Sequence, residues 1–242
     1  MKKRRSVDIA LPVYYGNVPE IENSVDILVK HCQKTLKEYA WTIVLAVNGK
    51  QPEQVMNLAK KLERKYKGKV AHVYTPYPGK GNGVIEAWSK RKADIHAYMD
   101  IDLSTELGAL MPMLKSIEEN NDIVCGSRYH PLSKIKRSLK RYIISRGYTV
   151  FLYRSVLLTP VRDPQCGFKA VTPRVVKEVL PLIKDRIWFW ESEMIYLAYK
   201  MGMKIKEVPV IWTERKISGV NLVRIIPVFI KNVIRMRFTK IR

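Results

Sequence analysis

Two aspartates separated by one residue, Asp100 and Asp102, stand directly after the apolar run Ile95–Met99. If this run is a strand of a parallel sheet, both carboxylates project into the cleft outside its carboxyl end, where ligands of such sheets bind. Alternate carboxylates across a turn present oxygens to a hard divalent cation, which also binds nucleotide phosphates. The simpler interpretation is a turn before a helix, with Ser104 or Thr105 as the N-cap.

A second candidate is the glycine-rich stretch Gly79-Lys80-Gly81-Asn82-Gly83, which precedes a helical pattern at 84–92. Glycines where a loop enters a helix let phosphates approach backbone N–H groups, and Lys80 adds positive charge. The stretch has neither P-loop nor dinucleotide-binding spacing, so a plain glycine turn is the alternative.

The elements that must position these residues alternate between strands and helices. Apolar runs rich in β-branched residues predict strands at 7–14, 41–47, 70–74, 95–99 and 122–125. Helical spacing of apolar residues separates them, which predicts βαβ units and a mostly parallel sheet of α/β class. A basic segment (134–160), a turn (163–167), a helix (190–201), a strand (205–212) and a basic C-terminal helix follow. We expect one domain over 1–221 and an amphipathic helix over 222–242.

The charge of the chain is strongly positive and unevenly placed. The 242 residues hold 44 Lys and Arg against 22 Asp and Glu, a net charge of +22. Three acid-free stretches, 1–5, 123–162 and 215–242, account for 21 of those 22 excess charges. Such local excess calls for an anionic partner: a phosphorylated substrate, an anionic membrane or a nucleic acid.

Cysteine usage and hydropathy indicate where the protein acts. The three cysteines, Cys32, Cys125 and Cys166, form no CxxC pair, which favours a reducing compartment over disulfides or a zinc site. The basic N-terminus has no apolar run of signal-peptide type, and charged residues interrupt each candidate membrane span. We therefore expect a cytoplasmic protein that is peripheral on the inner face of the membrane.

Several further motifs occur in a characteristic order along the chain. They are Leu11-Pro12-Val13-Tyr14, Val47-Asn48-Gly49, Gly126-Ser127-Arg128-Tyr129, Arg141-Tyr142-Ile143-Ile144-Ser145-Arg146-Gly147, Asp163-Pro164-Gln165-Cys166-Gly167-Phe168-Lys169 and Trp190-Glu191-Ser192-Glu193. Together with the aspartate pair and the glycine-rich stretch, these motifs resemble the family 2 glycosyltransferases of GT-A fold. The order and spacing are most similar to the polyprenyl-phosphate hexosyltransferases, the dolichyl-phosphate mannose and glucose synthases.

The resemblance implies roles on the donor side of the site. Pro12, Tyr14 and Asn48 would line the nucleoside pocket, with Lys80 nearby. Asp100 would contact the nucleotide-sugar, UDP-glucose or GDP-mannose, and Asp102 would ligate Mg²⁺ or Mn²⁺ with it.

The resemblance also implies roles on the acceptor side. Arg128 and Arg141 match arginines that hold the phosphate of a polyprenyl or dolichyl phosphate, and Arg215 resembles a further phosphate contact. Asp163, Gln165 and Glu193 would shape the sugar and acceptor side of the cleft. Arg162-Asp163 before the cysteine-containing turn, with Trp212-Thr213-Glu214 later, looks closest to the glucosyl branch.

Three departures from the family pattern concern donor choice and one phosphate contact. Tyr15-Gly16-Asn17 stands where Asn-Glu is usual, and Asn48 replaces a common Asp, so that its amide oxygen accepts without charge. Gly219-Val220-Asn221-Leu222 is one residue shorter than the usual segment.

The predicted chemistry is single displacement with inversion. A phosphate monoester is largely ionised at neutral pH, with a second pKa of about 6, so the nucleophile needs no strong base. The reaction needs a cation on the leaving diphosphate and arginines that hold the second anion in line. The four histidines show no ligand spacing.

Basic amphipathic segments predict contact with an anionic membrane. In 134–158 and from Pro227 onward, aliphatic and aromatic residues alternate with Lys and Arg, as in helices that lie in the membrane interface. The alternative is that both segments simply cover the sheet.

Three other functions stay open at this level. A family 2 transferase with a glycan or soluble acceptor would use the same aspartates without the phosphate-binding arginines. A nucleic-acid-binding protein is disfavoured because no zinc-finger, RNP or helix-turn-helix pattern occurs, so we expect no nucleic acid partner. A membrane-bound scaffold without catalysis is the third.

Overall fold

The computed structural model describes residues 4–14, 16, 18–50, 53–215 and 222–239, with the side chains of the last range described from 225 onward. Several sequence features lie outside the described residues: Lys2, Lys3, Tyr15, Asn17, 216–221 and Arg242. The departures at 15–17 and 219–221 are therefore not tested by the structure, apart from Gly16.

The first half of the chain alternates strands and helices, as the apolar pattern predicts. Its elements are β1 (Arg5–Val13), α1 (Val18–Thr35), β2 (Tyr39–Asn48), α2 (Glu53–Lys65), β3 (Val70–Thr75), α3 (Lys80–Lys90), β4 (Ile95–Met99), α4 (Leu110–Glu118) and β5 (Ile123–Ser127). α3 begins at Lys80, four residues before the predicted start, so the glycine-rich stretch forms the first helical turn.

The second half is less regular. Its elements are β6 (Lys134–Lys136), α5 (Leu139–Gly147), a π-helical stretch (Tyr148–Arg154), α6 (Ser155–Leu157), β7 (Phe168–Val171), α7 (Pro173–Glu178), α8 (Trp190–Lys200), β8 (Ile205–Pro209), β9 (Ile211–Thr213) and α9 (Leu222–Phe238). The single strand predicted at 205–212 is two strands, because the chain leaves the main sheet after Pro209 to pair β9 with β6.

The main sheet has seven strands in the order β3-β2-β1-β4-β7-β5-β8. All pairs are parallel except those of β7, which lies antiparallel between β4 and β5. The α/β class with a mostly parallel sheet is thus confirmed, whereas β7 was not predicted. Its insertion places the turn that precedes it beside the end of β4.

The core fills both faces of the sheet. Strands buried on both faces read as continuous apolar runs in parallel sheets, and β1 follows this rule because every residue from Val7 to Val13 is buried. Packing between helices and sheet leaves Ile9, Leu45 and Trp88 at most 1% exposed. The carboxyl ends of β1, β2 and β4 consequently lie at one edge.

Helix α9 packs on the body through one face. Val233 and Met236 are fully buried, and Arg235 forms an ion pair of 2.8 Å with Glu193 of α8. Asn232 donates to Asp185 over 3.0 Å. Among the helices that the structure describes, none is long and apolar enough to cross a bilayer.

Candidate functional site

A cavity of about 630 Å³ opens at the carboxyl edge of the sheet. The predicted site residues that line it are Lys80, Asp100, Asp102, Arg128, Arg141, Gln165 and Arg215. Chain segments more than a hundred residues apart therefore meet in one space, with the aspartate pair and the arginines facing the same cavity.

The aspartate pair is held at the end of β4 by the turn that precedes β7. The Asp100 N–H donates to the Gly167 carbonyl over 3.1 Å. A Cβ at position 167 would collide with the Asp100 carboxylate, so glycine allows Asp100 to keep this side-chain position. Asp102 accepts from the N–H and the hydroxyl of Ser104, at 2.9 and 2.8 Å. Ser104 thus orients a carboxylate that lines the cavity.

Behind the aspartates, two lysines and one glutamate form a buried ionic chain. Lys80 Nζ lies 2.8 Å from Asp100 Oδ1 and 2.9 Å from Glu191 Oε1. Lys169 Nζ lies 2.6 Å from Glu191 Oε2, and its side chain is completely buried. We call Lys80, Asp100, Asp102, Lys169 and Glu191 the carboxylate cluster.

The charges of this cluster shift its pKa values. Burial opposes ionisation of Glu191, but the ammonium groups of Lys169 and Lys80 outweigh it and lower its pKa to about 2. Burial raises the pKa of Asp100, and the nearby charge of Asp102 adds to the rise while Lys80 opposes it. Two carboxylates that repel one another favour a shared cation.

The aspartate pair fits a divalent cation as a partial ligand set. The described residues contain no group of three or more His, Cys, Asp or Glu side chains able to hold a metal ion. Mg²⁺ commonly takes one or two carboxylates and completes its shell with water and substrate phosphates. Asp100 and Asp102 supply that number of carboxylates and face the cavity.

Arg128 is fixed by Asp163. Its Nε and Nη2 each donate to the Asp163 carboxylate over 2.8 Å, and its backbone N–H donates to Oδ2 at the same distance. Asp163 is completely buried, so its observed contact is with Arg128 and not with the cavity. A paired, bidentate arrangement of this kind holds the guanidinium plane in place.

Two further arginines share one carboxylate. Glu214 Oε1 lies 2.9 Å from Arg141 Nη1 and 3.8 Å from Arg137 Nε. Arg137 and Arg128 both lie over the Trp212 ring, at 5.2 and 5.5 Å from its centroid. We call Arg128, Arg137, Arg141, Asp163 and Glu214 the arginine cluster.

Most of the remaining cavity wall is apolar. Its residues come from α5, the π-helical stretch, the loop before α8, and α9: Ile144, Tyr148, Phe151, Leu152, Trp188, Ile225, Ile226, Phe229 and Ile230. Phe229 holds α9 against the body, with its ring 5.1 Å from that of Tyr148. The arginine cluster therefore lies beside an apolar groove.

Five predicted site residues do not line this cavity, and one of them is Asp163, described above. Pro12 and Asn48 are buried at the ends of β1 and β2, and Tyr14 follows β1 half-exposed. Asn48 donates to the Val13 carbonyl over 3.1 Å and accepts from the Gly79 N–H over 3.0 Å, so it ties the two strand ends to α3.

Glu193 is the fifth predicted residue that does not line the cavity. It accepts from the N–H groups of Lys184 and Asp185 and pairs with Arg235, so the structure places it between α8 and α9. Glu191 faces the cavity in its place. Residues two apart on an α-helix point roughly 200° away from each other, so only one of the two glutamates can face the site.

Sequence reasoning did not select Glu191, Lys169 or Arg137 as site residues. Glu191 and Lys169 lie inside motifs quoted above, and this position in a motif was the sequence feature that could have identified them as site residues. Arg137 is one of nine basic residues between Asp122 and Asp163, and nothing in their spacing distinguishes it.

Comparisons with known proteins agree with this geometry. The family model described as Glycosyl transferase family 2 matches residues 8–180. Glycosyltransferase AglD of Haloferax volcanii is 30% identical over 223 residues, which are 90% of this chain and 35% of that protein. A dolichyl-phosphate beta-glucosyltransferase of Dictyostelium discoideum is 26% identical over 243 residues, covering 96% of this chain and 74% of that protein.

Solved structures share the fold. Glucosyl-3-phosphoglycerate synthase of Mycobacterium tuberculosis, in complex with Mn²⁺, UDP-glucose and phosphoglyceric acid, superposes with a TM-score of 0.63 at 14% identity, covering 96% of this chain and 78% of that one. Mannosyltransferase PcManGT of Pyrobaculum calidifontis, with GDP-Man and Mn²⁺, gives 0.56 at 14% identity, covering 88% and 57%. With the matched family model over most of its length, this chain belongs to glycosyl transferase family 2 and has the GT-A fold.

Proposed function

We propose that this protein transfers a hexose, glucose in the first instance, from a nucleotide-sugar to a polyprenyl phosphate at a membrane surface. One observation carries the proposal: a single cavity joins a carboxylate pair suited to a divalent cation, a set of arginines suited to phosphate, and an apolar groove. The names of the relatives favour glucose and dolichyl phosphate.

On the donor side, Asp100 and Asp102 would hold Mg²⁺ or Mn²⁺. When bound, such a cation neutralises charge on the leaving diphosphate. Pro12, Tyr14 and Asn48 lie at the adjoining ends of β1 and β2 and would hold the nucleoside there. Lys80 lines the cavity beside Asp100 and would face the diphosphate.

On the acceptor side, Arg128, Arg141 and Arg215 would bind the lipid phosphate, with Arg137 as an additional contact. Asp163 would position Arg128, and Gln165 lines the same cavity. The phosphate oxygen is the nucleophile in its ionised form, so the protein's task is to hold it in line with the anomeric carbon. The expected result is single displacement with inversion.

The apolar groove and its rim suit the lipid and the membrane. Phe151 is 78% exposed and Phe238 is 80% exposed, beside basic residues of the same segments. Exposed apolar side chains of this size among Lys and Arg are typical of interfacial helices. We propose that α9, as part of the C-terminal segment 222–242, lies on the anionic inner face of a membrane, with the catalytic domain over 1–221 on the cytoplasmic side.

The direct test is incubation with polyprenyl phosphate and labelled UDP-glucose, GDP-mannose or UDP-N-acetylglucosamine, with and without Mg²⁺ or Mn²⁺. The proposal expects one labelled lipid product that requires the cation. Transfer to phosphoglycerate or to a glycan, with none to the lipid, would contradict it. The same reactions with a neutral polyprenol are the matched control, since loss of the phosphate should abolish transfer.

A further inference from the structure

The Glu214 carboxylate occupies an anion-binding position inside the cavity. Arg141 Nη1 donates to Oε1 over 2.9 Å, and the Ser138 backbone N–H donates to Oε2 over 3.0 Å. Arg137 Nε lies 3.8 Å from Oε1. These three donors and the carboxylate line or adjoin the same cavity wall, so an anion from solution would meet Glu214 at this point.

The donors around Glu214 are not saturated by it. Arg128 nearby is committed to Asp163, whereas Arg137 and Arg141 share the single Glu214 carboxylate. Arg137 Nε is buried and makes no hydrogen bond among the described residues. Its pKa is lowered by burial and by the neighbouring charge of Arg128, as expected where positive charge is under-compensated. This position therefore favours more negative charge than one carboxylate supplies.

Only the side chain of Glu214 has to move for the position to open. Its backbone N–H is held by the Lys136 carbonyl over 2.9 Å, immediately after β9. The side chain is 18% exposed and reaches the cavity. Rotation about its own torsions would move the carboxylate into the cavity solvent while the strand stays in place.

We propose that Glu214 is a built-in competitor for the acceptor phosphate, which must displace its carboxylate from Arg137, Arg141 and the Ser138 N–H. The inference rests on the proposed function for the identity of the acceptor. A phosphate monoester carries a charge of about −1.5 to −2 at neutral pH, so it can displace a single carboxylate from the arginines. An acceptor with a hydroxyl or a carboxylic acid group cannot displace that carboxylate. Glu214 thereby selects phosphate monoesters and partly compensates two guanidinium groups while no acceptor is bound.

The test is the isosteric variant Glu214→Gln. Inorganic phosphate is titrated calorimetrically into the metal-free protein. Phosphate then cannot bind to a cation held by Asp100 and Asp102. We expect the variant to bind phosphate at least tenfold more tightly than the natural chain. The KM for a short prenyl phosphate should fall by a similar factor, while the KM for the nucleotide-sugar stays unchanged. Glu119→Gln is the matched control, because Glu119 pairs with Lys206 at the surface and neither residue lines the cavity.

Equal or weaker phosphate binding by a folded Glu214→Gln protein overturns the proposal. If that variant does not fold, Glu214→Asp keeps the charge but shortens the reach to Arg141, and should bind phosphate about threefold more tightly. No gain in that variant overturns it as well. The phosphate titration needs neither lipid nor sugar. Tighter binding without lipid glycosylation would therefore refute the proposed function alone, and lipid glycosylation without tighter binding would refute the role of Glu214 alone.

Discussion

The carboxylate cluster and the arginine cluster face the same cavity with opposite charge imbalance. The first holds three carboxylates and two ammonium groups, which leaves one negative charge. The second holds three guanidinium groups and two carboxylates, which leaves one positive charge. Each cluster is thus one charge short of neutrality, in the direction that a cation or a phosphate corrects.

The two clusters also differ in how firmly their charges are paired. Lys169 and Glu191 are almost completely buried, and each has a partner within 2.6 Å. Arg141 is 30% exposed and shares its carboxylate with Arg137. Burying charges requires firm pairing, whereas partly exposed charges tolerate exchange. The comparison indicates that the Lys169–Glu191 pair is fixed, as is Arg128–Asp163 in the arginine cluster, and that Glu214 is the exchangeable anion.

The largest effect is expected from a substitution that removes the uncompensated charge of the carboxylate cluster. Asp102→Ala should lower divalent-dependent transfer roughly a thousandfold, because several kcal/mol of transition-state stabilisation are lost. The rate is measured with labelled nucleotide-sugar and polyprenyl phosphate. Thermal unfolding close to that of the natural chain serves as the control, since Asp102 bonds only to Ser104 among the contacts described for it. Normal activity would remove Asp102 from the site.

The next largest effect is expected from removing a buried charge of the carboxylate cluster, which tests whether its ion pairs stabilise the fold. Glu191→Gln should lower the free energy of unfolding by about 3 kcal/mol, because the buried Lys169 ammonium loses the carboxylate it pairs with and Lys80 keeps only Asp100. Urea unfolding measures it. Glu178→Gln is the control, since Glu178 pairs with Arg174 on an exposed helix face and should cost about 0.5 kcal/mol or less.

The pH dependence sharpens the same prediction. The pKa of Glu191 is depressed from 4.5 to about 2, so its stabilising contribution is complete above about pH 4.5 and is lost as pH falls toward 2. The stability difference between the natural chain and Glu191→Gln should therefore be constant at neutral pH and shrink in acid. A difference that grows in acid would contradict the assignment.

A smaller effect is expected in the arginine cluster. Arg137→Ala should raise the KM for polyprenyl phosphate roughly tenfold to a hundredfold, since a charge-assisted hydrogen bond contributes about 1.5–3 kcal/mol. The KM for the nucleotide-sugar should change little. Arg174→Ala, on the surface of α7, is the control. A rise in the KM for the nucleotide-sugar alone would contradict the assignment of Arg137 to the acceptor phosphate.

The smallest effect is expected for membrane binding, where the test is whether the positive charge of α9 contributes to binding anionic lipid. Lys231→Gln on the exposed face of α9 should weaken binding to anionic liposomes about fivefold, because one near-surface charge contributes about 1 kcal/mol. Flotation against a sucrose gradient measures it. Lys60 on α2 is also exposed, and Lys60→Gln should leave flotation unchanged. This substitution keeps Val233 and Met236, which a deletion of α9 would remove from the core.

The sequence by itself determined the fold class and, through the family resemblance, seven of the polar residues that line the cavity. Apolar runs predicted β1 to β5, because strands buried on both faces of a parallel sheet are apolar over most of their length; Asp8 in β1 and His96 in β4 are buried exceptions. The position of Asp100 and Asp102 after β4 predicted their place at the carboxyl edge, since that edge is fixed once the strand is parallel. The basic excess of 123–162 likewise predicted a local anion partner.

Tertiary structure alone decided which charges pair. The antiparallel β7 brings Lys169 behind Asp100, and the turn of α8 selects Glu191 over Glu193 for the cavity. The pairing of β6 with β9 sets Glu214 between Arg137 and Arg141. Local pattern reports which residues are apolar or charged. Which opposite charges meet depends on contacts between segments far apart in sequence, and these are fixed only when the sheet closes and buried charges must find partners.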